Sequence, residues 1–167
     1  MAEQENIPQI DIGSQAETPA APPAIAPRKV APRRKVPDAG GFIWGTGRRK
    51  SSVARVRIKP GEGKFLINDK EVKDYFTQAK DRNDVVAPLK AVSAEKSFDI
   101  YVNVQGGGTT GQSGAVRLGV ARALVNYDET MLPQLRDGNH LTRDSRMVER
   151  KKPGQPGARK SFQFSKR

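Results

Sequence analysis

The clearest alternation of apolar and polar residues lies in the stretch SSVARVRIKPGEGKFLIN, residues 51–68. Ala54, Val56 and Ile58 alternate with polar or charged positions, which is the period-2 pattern of a strand with one buried face. The PGEG sequence at 60–63 is typical of a hairpin turn. We therefore predict that residues 64–68 return as the neighbouring strand.

The stretch FDIYVNV, residues 98–104, alternates in the same way and predicts a second strand. Helical spacing predicts two short helices, around 72–76 and around 84–92, and a last helix over 131–136 that stops at Gly138. A longer helix follows the second strand. Its predicted buried stripe consists of Val116, Val120, Ala123, Leu124 and Tyr127.

The two ends of the chain lack such periodicity. Residues 1–41 are rich in Pro, Ala, Gln and Glu, and residues 143–167 contain few apolar side chains and two prolines. Segments of this composition cannot bury enough apolar surface to fold alone. We predict three parts: a disordered extension (1–41), one globular domain (42–142) and an extended basic tail (143–167).

Charge is also unevenly distributed along the chain. The formal net charge is +12, with −4 in residues 1–27, +10 in 28–59, −1 in 60–142 and +7 in 143–167. A near-neutral segment, residues 60–142, between two basic blocks favours a polyanionic partner, such as nucleic acid or an acidic membrane surface.

Six bases fall within twelve residues of the first block. Alternation places Arg55, Arg57 and Lys59 on one solvent face of the predicted strand, and the other three precede it: Arg48, Arg49 and Lys50. Such a face could simply be solvated, but this density of cations favours contact with nucleic acid. The tail offers a second set, unless it only solubilises the protein: Arg143, Arg146, Arg150, Lys151, Lys152, Arg159 and Lys160.

A glycine loop, GGGTTG at 106–111, contains a literal G-x-G-x-x-G. A phosphate-binding P-loop requires Lys where Gln112 stands, because a neutral amide cannot neutralise the phosphates. A dinucleotide site requires a further strand ending in an acid, whereas the sequence around Asp128 is typical of helix and turn. The loop is better explained as letting a helix begin close to the sheet, with Gly111, Gly114 and Ala115 offering little bulk.

The start of that helix still presents unpaired N–H groups, so a phosphate of a larger nucleic acid could dock there. The residues that would form this docking point are Gly107, Gly108, Thr109, Gly111 and Gln112.

Other chemistry is excluded or unsupported. The absence of cysteine excludes disulfides, thiolate zinc sites and a cysteine nucleophile. His140 is the only histidine and has no obvious acidic partner, so we expect no metal site, no cofactor and no catalysis. No apolar run approaches the roughly 20 residues of a membrane span, and residues 1–27 carry no Lys or Arg, unlike a signal or transit peptide. We expect a soluble cytoplasmic protein.

Five blocks of the sequence resemble, in order, the bacterial type of the ninth protein family of the small ribosomal subunit. They are GTGRRKSSVARV, KPGEGKFLIN, GGGTTGQSGAVRLGVARAL, LTRDSRMVERKK and QFSKR, between Gly45 and Arg167. The resemblance implies an α/β fold, an α+β two-layer sandwich of the ribosomal protein S5 domain 2-like type. Such a fold has a mostly four-stranded sheet, helices on one side and a left-handed βαβ crossover, whereas most crossovers are right-handed.

The resemblance also implies a structural protein in the head of the small subunit, bound to ribosomal RNA and near other head proteins. It places the end of the tail, Ser165, Lys166 and Arg167, near the anticodon stem-loop of the P-site transfer RNA. Gly157 and Phe162 stand where the family often has Lys and Pro, and the first 40 residues precede its usual start. Two alternatives remain open: a nucleotide-using enzyme, and a free nucleic-acid chaperone or histone-like binder.

Overall fold

The computed structural model describes residues 37–163 and residue 165, so the prediction for the N-terminal extension lies outside the described residues as far as residue 36. The described strands are β1 (Ile43–Arg49), β2 (Ser52–Pro60), β3 (Phe65–Ile67), β4 (Lys70–Glu71) and β5 (Phe98–Gln105). The described helices are α1 (Val72–Tyr75), α2 (Ala79–Ala91), α3 (Thr109–Tyr127) and α4 (Leu132–Asp137), with a 3-10 turn (Glu129–Met131) before α4.

The sheet has the strand order β1-β2-β5-β3-β4. β2 is antiparallel to both β1 and β5, whereas β3 is parallel to β5 and antiparallel to β4. The parallel pair is connected through α1 and α2. The predicted fold class, a mixed sheet with helices on one side, is confirmed, with the two-residue β4 as an additional edge strand. The handedness of the crossover stays a prediction.

The predicted hairpin between β2 and residues 64–68 is wrong. β3 pairs instead with the far side of β5, where Phe65 lies opposite Ile100. One carboxylate oxygen of Asp99, in β5, accepts the backbone N–H groups of Glu62, Gly63 and Lys64 at 3.0, 3.2 and 3.1 Å. These hydrogen bonds hold the loop against the start of β5, so tertiary contacts override the local turn sequence.

The hairpin that does form joins β1 and β2 through Lys50, whose φ of 51° is in the left-handed region. β1 has no counterpart in the predictions, because Gly45 and Gly47 occupy inward positions where alternation would show apolar side chains. A Cβ at Gly47 would collide with the carbonyl oxygen of Ala115 and lie 2.5 Å from the amide nitrogen of Gly119. The two glycines therefore let α3 lie directly on β1.

The core lies between the sheet and α3. The predicted stripe is confirmed: Val116, Val120, Ala123 and Leu124 are fully buried, and Tyr127 packs edge-on against Phe98 with ring centroids 4.9 Å apart. The short helices α1 and α4 also lie where the spacing predicts them.

Helix α2 begins five residues before the predicted start at residue 84. Its first turn contains the buried Asp81, which accepts a 3.0 Å hydrogen bond from Ser113 in α3.

Within the described residues, no helix combines the length and apolarity needed to cross a bilayer.

Candidate nucleic-acid interface

The side of the sheet opposite α3 carries a row of cations. Along β2 the side chains that alternate with the buried Ala54, Val56 and Ile58 include Arg55, Arg57 and Lys59, as predicted. We call this surface the open face, and define it by the outward side chains of β1, β2 and β5 with the adjacent Phe42. Its aromatic and basic members are Phe42, Trp44, Arg48, Arg55, Arg57, Lys59 and Tyr101.

Two aromatic rings hold two of these cations in place. Phe42 and Tyr101 meet edge to face with centroids 5.9 Å apart. The guanidinium of Arg57 lies 5.3 Å from both centroids, and the ammonium of Lys59 lies 5.6 and 5.8 Å from them. Cation–π attraction orients the charges without neutralising them. A third aromatic side chain, Trp44, is 46% exposed and pairs across the strands with Arg57.

The charge of the open face remains available to a ligand. Among the described residues, Arg48, Arg55, Arg57 and Lys59 make no ion pair within 4 Å. Asp99, the acid in the outward register of β5, is 7% exposed and is occupied by the three loop amides. The hydrogen bond from the Lys64 amide, followed by those from Glu62 and Gly63, holds the pKa of Asp99 below its ordinary value.

Arg49 does not share this face. It is the last residue of β1 and is half-buried on the helix side, where its guanidinium donates to the carbonyl of Thr110 at 2.8 Å and to Asp144 at 3.2 Å. Arg49 was predicted to lie with the exposed cations, because alternation alone does not reveal β1 and therefore does not show that Arg49 points to the helix side. The structure thus separates Arg49 from Arg48 and Lys50, which are exposed on either side of it.

The tail contains no helix or strand within the described residues. Its two acids are both paired with arginines: Asp144 with Arg146 at 3.0 Å, and Glu149 with Arg159 at 2.6 Å. These pairs hold the pKa of each carboxyl below its ordinary value. The predicted contact residues that are exposed and make no described ion pair are Arg143, Arg150, Lys151, Lys152 and Lys160.

The tail also turns back on itself. The amide of Lys152 donates to the carbonyl of Gly157, and the Glu149–Arg159 pair lies at the base of this turn. Ser165 is exposed, whereas Lys166 and Arg167 lie outside the described residues. The turn makes the tail shorter than a fully extended chain of the same length.

The glycine loop packs against the β1–β2 hairpin. Gly106 and Gly107 have φ of 73° and 66°, and the hydroxyl of Ser52 donates to the Gly106 carbonyl at 3.0 Å. Gln112 also donates to this carbonyl at 3.1 Å, and it accepts from the Tyr75 hydroxyl at 2.9 Å. The amide that stands in place of a P-loop lysine is therefore a structural bridge.

The exposed members of the predicted phosphate-docking point are Gly107, Gly108 and Thr109, whereas Gly111 is buried and Gln112 half-buried. No side chain of the described residues caps α3 at its N-terminus.

His140 is half-buried, and burial, with a smaller contribution from Arg117, lowers its pKa. Within the described residues no group of three His, Asp or Glu side chains could hold a metal ion.

Sequence reasoning missed the aromatic members of the open face. Phe42, Trp44 and Arg48 do alternate in FIWGTGRR, and this spacing was the available signal, but the intervening glycines hide the strand. Tyr101 was identifiable as an outward residue of its strand, yet its pairing with Phe42 depends on β1 lying two strands away.

The comparisons with known proteins all find ribosomal proteins. The family model described as ribosomal protein S9/S16 matches residues 47–167. Small ribosomal subunit protein uS9 of Rhodopirellula baltica is 55% identical over 127 residues, which cover 76% of this chain and 93% of that protein. The uS9 protein of Chlorobaculum parvum is 57% identical over 121 residues, covering 72% and 94%. The longer uS9m of Arabidopsis thaliana is 53% identical over 130 residues, covering 78% of this chain and 30% of that protein.

Proposed function

The chain belongs to the ribosomal protein S9/S16 family, and we propose that it binds the ribosomal RNA of the small-subunit head with both its open face and its tail. It is a structural, non-enzymatic constituent of the small ribosomal subunit and is located on the ribosome in the cytoplasm. Ribosomal RNA and neighbouring ribosomal proteins are accordingly its partners. The observation that supports the finer proposal is the set of unpaired cations on the open face.

Phosphate neutralisation supplies most of the affinity in this proposal. Arg48, Arg55 and Arg57 make no ion pair with a carboxylate among the described residues, and Lys59 has only a longer-range attraction to Asp99, so these cations can exchange counterions for phosphates. The exposed ring of Trp44 and the rings of Phe42 and Tyr101 lie among these cations. An aromatic and basic surface of this kind suits RNA, whose unstacked bases stack on rings while cations meet the backbone.

Tail cations extend the same interaction. Arg143, Arg150, Lys151, Lys152 and Lys160 are the free cations of the described tail, and a phosphate at the start of α3 would add the docking point at Gly107, Gly108 and Thr109. Arg49, Arg146 and Arg159 are already paired within the chain, so we assign them a smaller share of the affinity than the sequence suggested.

The salt dependence of RNA binding tests this proposal. With roughly six to ten phosphates bound, affinity for a head-domain RNA fragment should fall by about 10³- to 10⁵-fold between about 50 and 200 mM salt. Replacing Arg55, Arg57 and Lys59 together by Gln should make the logarithmic slope shallower by about 0.7–0.9 for each phosphate that the variant no longer neutralises.

The matched control removes equal charge from another surface: Gln replaces the exposed Lys70, Lys73 and Lys80, at the β4 edge, in α1 and in α2. Its slope should stay close to that of the unmodified protein. Equal slopes for both triple variants would show that the open face has no special part in binding and would overturn the proposal.

We further propose that Ser165, Lys166 and Arg167 contact the P-site transfer RNA. Cations at a chain end can meet backbone phosphates without reading bases, which suits a site that accepts many transfer RNAs. Deleting these three residues should leave incorporation into subunits unchanged and weaken P-site transfer RNA binding modestly in filter-binding assays. Subunits lacking the shortened protein would instead indicate a role in assembly.

A further inference from the structure

Asp144 joins the tail to the globular domain through a compact set of hydrogen bonds. One carboxylate oxygen accepts from the Arg146 amide at 3.1 Å and from the Arg146 Nε at 3.0 Å. The other accepts from Arg146 Nη2 at 3.1 Å and from Arg49 Nη2 at 3.2 Å. We propose that Asp144 is a positioning residue, which fixes the direction in which the tail leaves the domain by binding between Arg49 and Arg146.

The domain side of this junction is firmly held. Arg49 is the last residue of β1, and its other guanidinium nitrogen donates to the Thr110 carbonyl in the first turn of α3. Its side chain also lies against Gly114, where an added Cβ would collide with Arg49 Cδ. The guanidinium is thus oriented by both a strand and a helix, so a carboxylate bound to it is fixed relative to the sheet.

The tail side depends on the same carboxylate. Leu141 packs against the core, but Met147 and Val148 are 61% and 86% exposed, so apolar burial does not hold the chain after residue 144. In the described tail, the other hydrogen bonds and ion pairs join tail residues to one another. The hydrogen bond between Asp144 and Arg49 therefore connects the two parts.

The charge of Asp144 argues for a geometric role. A carboxylate in a segment of net charge +7 reduces attraction to phosphates and occupies two arginines that could otherwise bind them. Positioning compensates for this loss, because a tail that leaves in one direction meets its ligand with less ordering entropy to lose.

Spin-label distances in the full-length chain test the proposal. The chain has no cysteine, so labels can be attached at Lys80→Cys in α2 and Val148→Cys, both exposed positions. In the otherwise unmodified protein the distance distribution should be narrow. Asp144→Ala should broaden the distance distribution clearly and accelerate hydrogen exchange of the Arg146 amide several-fold. Asp144→Glu keeps the carboxylate and should give a distribution of intermediate width.

Two further variants keep the result interpretable. Asp137→Asn, at the exposed end of α4, is the matched carboxylate control and should leave the distribution unchanged. Arg146→Gln removes the partner with an 84% exposed side chain and should broaden the distribution without affecting the thermal unfolding of the domain. If Asp144→Ala unfolds the domain, the width of the distance distribution in Arg146→Gln becomes the test. A distribution that is not broadened in the variants that remain folded would overturn the proposal.

The consequence for translation rests on the proposed function of the tail. Small subunits carrying Asp144→Ala should bind P-site transfer RNA more weakly although the last three residues are intact. Broadened distances with unchanged transfer RNA binding would support positioning by Asp144 and count against the P-site proposal. Narrow distances would overturn the positioning proposal itself, so the two failures are distinguishable.

Discussion

Between residues 42 and 142 the sheet and α3 approach until backbone contacts backbone, whereas the described residues from 143 onward are held by hydrogen bonds and ion pairs between polar groups. Gly45 and Gly47 allow the first kind of contact, and Asp144 and Glu149 provide the second. Close packing cannot accommodate even one added methyl group without strain. Ion pairs between exposed side chains contribute little to the stability of a fold, whereas Arg49 and Asp144 are mostly buried, with side chains 22% and 20% exposed.

The largest effect should follow from one methyl group at the closest approach of sheet and helix. Gly47→Ala places a Cβ against the backbone of Ala115 and Gly119, neither of which can rotate away. We expect a loss of about 3 kcal/mol in the free energy of unfolding, the upper part of the usual range for overpacking. Urea unfolding followed by circular dichroism measures this loss.

The matched control is Gly157→Ala in the tail, where the nearest atom to an added Cβ is Lys160 Cβ at an ordinary 3.7 Å. Its free energy of unfolding should stay within about 0.5 kcal/mol of the unmodified protein. Similar losses at Gly47 and Gly157 would remove the distinction between the two regions.

A smaller effect should come from a carboxylate in the domain that uses the same chemistry as the tail. Asp99→Asn keeps an acceptor for the three loop amides but removes the charge that these amides stabilise, which is the cause of the lowered Asp99 pKa in the folded protein. A depressed folded pKa contributes stability above the unfolded value of about 3.9, and this stability is lost as the pH falls through the folded pKa.

The variant should therefore be less stable than the unmodified protein at neutral pH, and the difference should shrink as the pH falls below about 4. Urea midpoints at several pH values measure the difference, with the exposed Asp74→Asn as control. A gap that stays constant with pH would mean that the hydrogen bonds, rather than the charge, carry the contribution of Asp99.

These interactions also show how far the sequence could predict the fold. Alternation and helical spacing identified β2, β5 and the buried stripe of α3, because these elements bury regular rows of apolar side chains. β1 was missed because its inward positions include glycines that lie against a helix more than sixty residues away in sequence. The false hairpin arose because local turn chemistry competes with Asp99, which lies 35 to 37 residues further along the chain.

The candidate interface shows the same limit. The outward direction of Arg55, Arg57 and Lys59 follows from alternation within one strand and was predicted. Strand pairing, which no local pattern encodes, determines that Arg49 points inward. It also determines that the Phe42 ring lies beside Arg57. The sequence thus identified where positive charge lies, but not which cations are already paired within the chain.

The smallest expected effect concerns the turn of the tail. Glu149→Gln removes the ion pair with Arg159 at the base of that turn. The Arg159 side chain is 82% exposed and the Glu149 side chain 44%, so solvent screens the pair and we expect no measurable change in the unfolding of the domain. The amides of Lys152 and Gln155 should nevertheless exchange several-fold faster, because the turn they close loses its anchoring pair. Hydrogen exchange resolved by residue measures this, with Glu95→Gln in the domain as the matched control. Destabilisation of the domain by Glu149→Gln would contradict the comparison, since it would mean that the tail contributes to the stability of the fold.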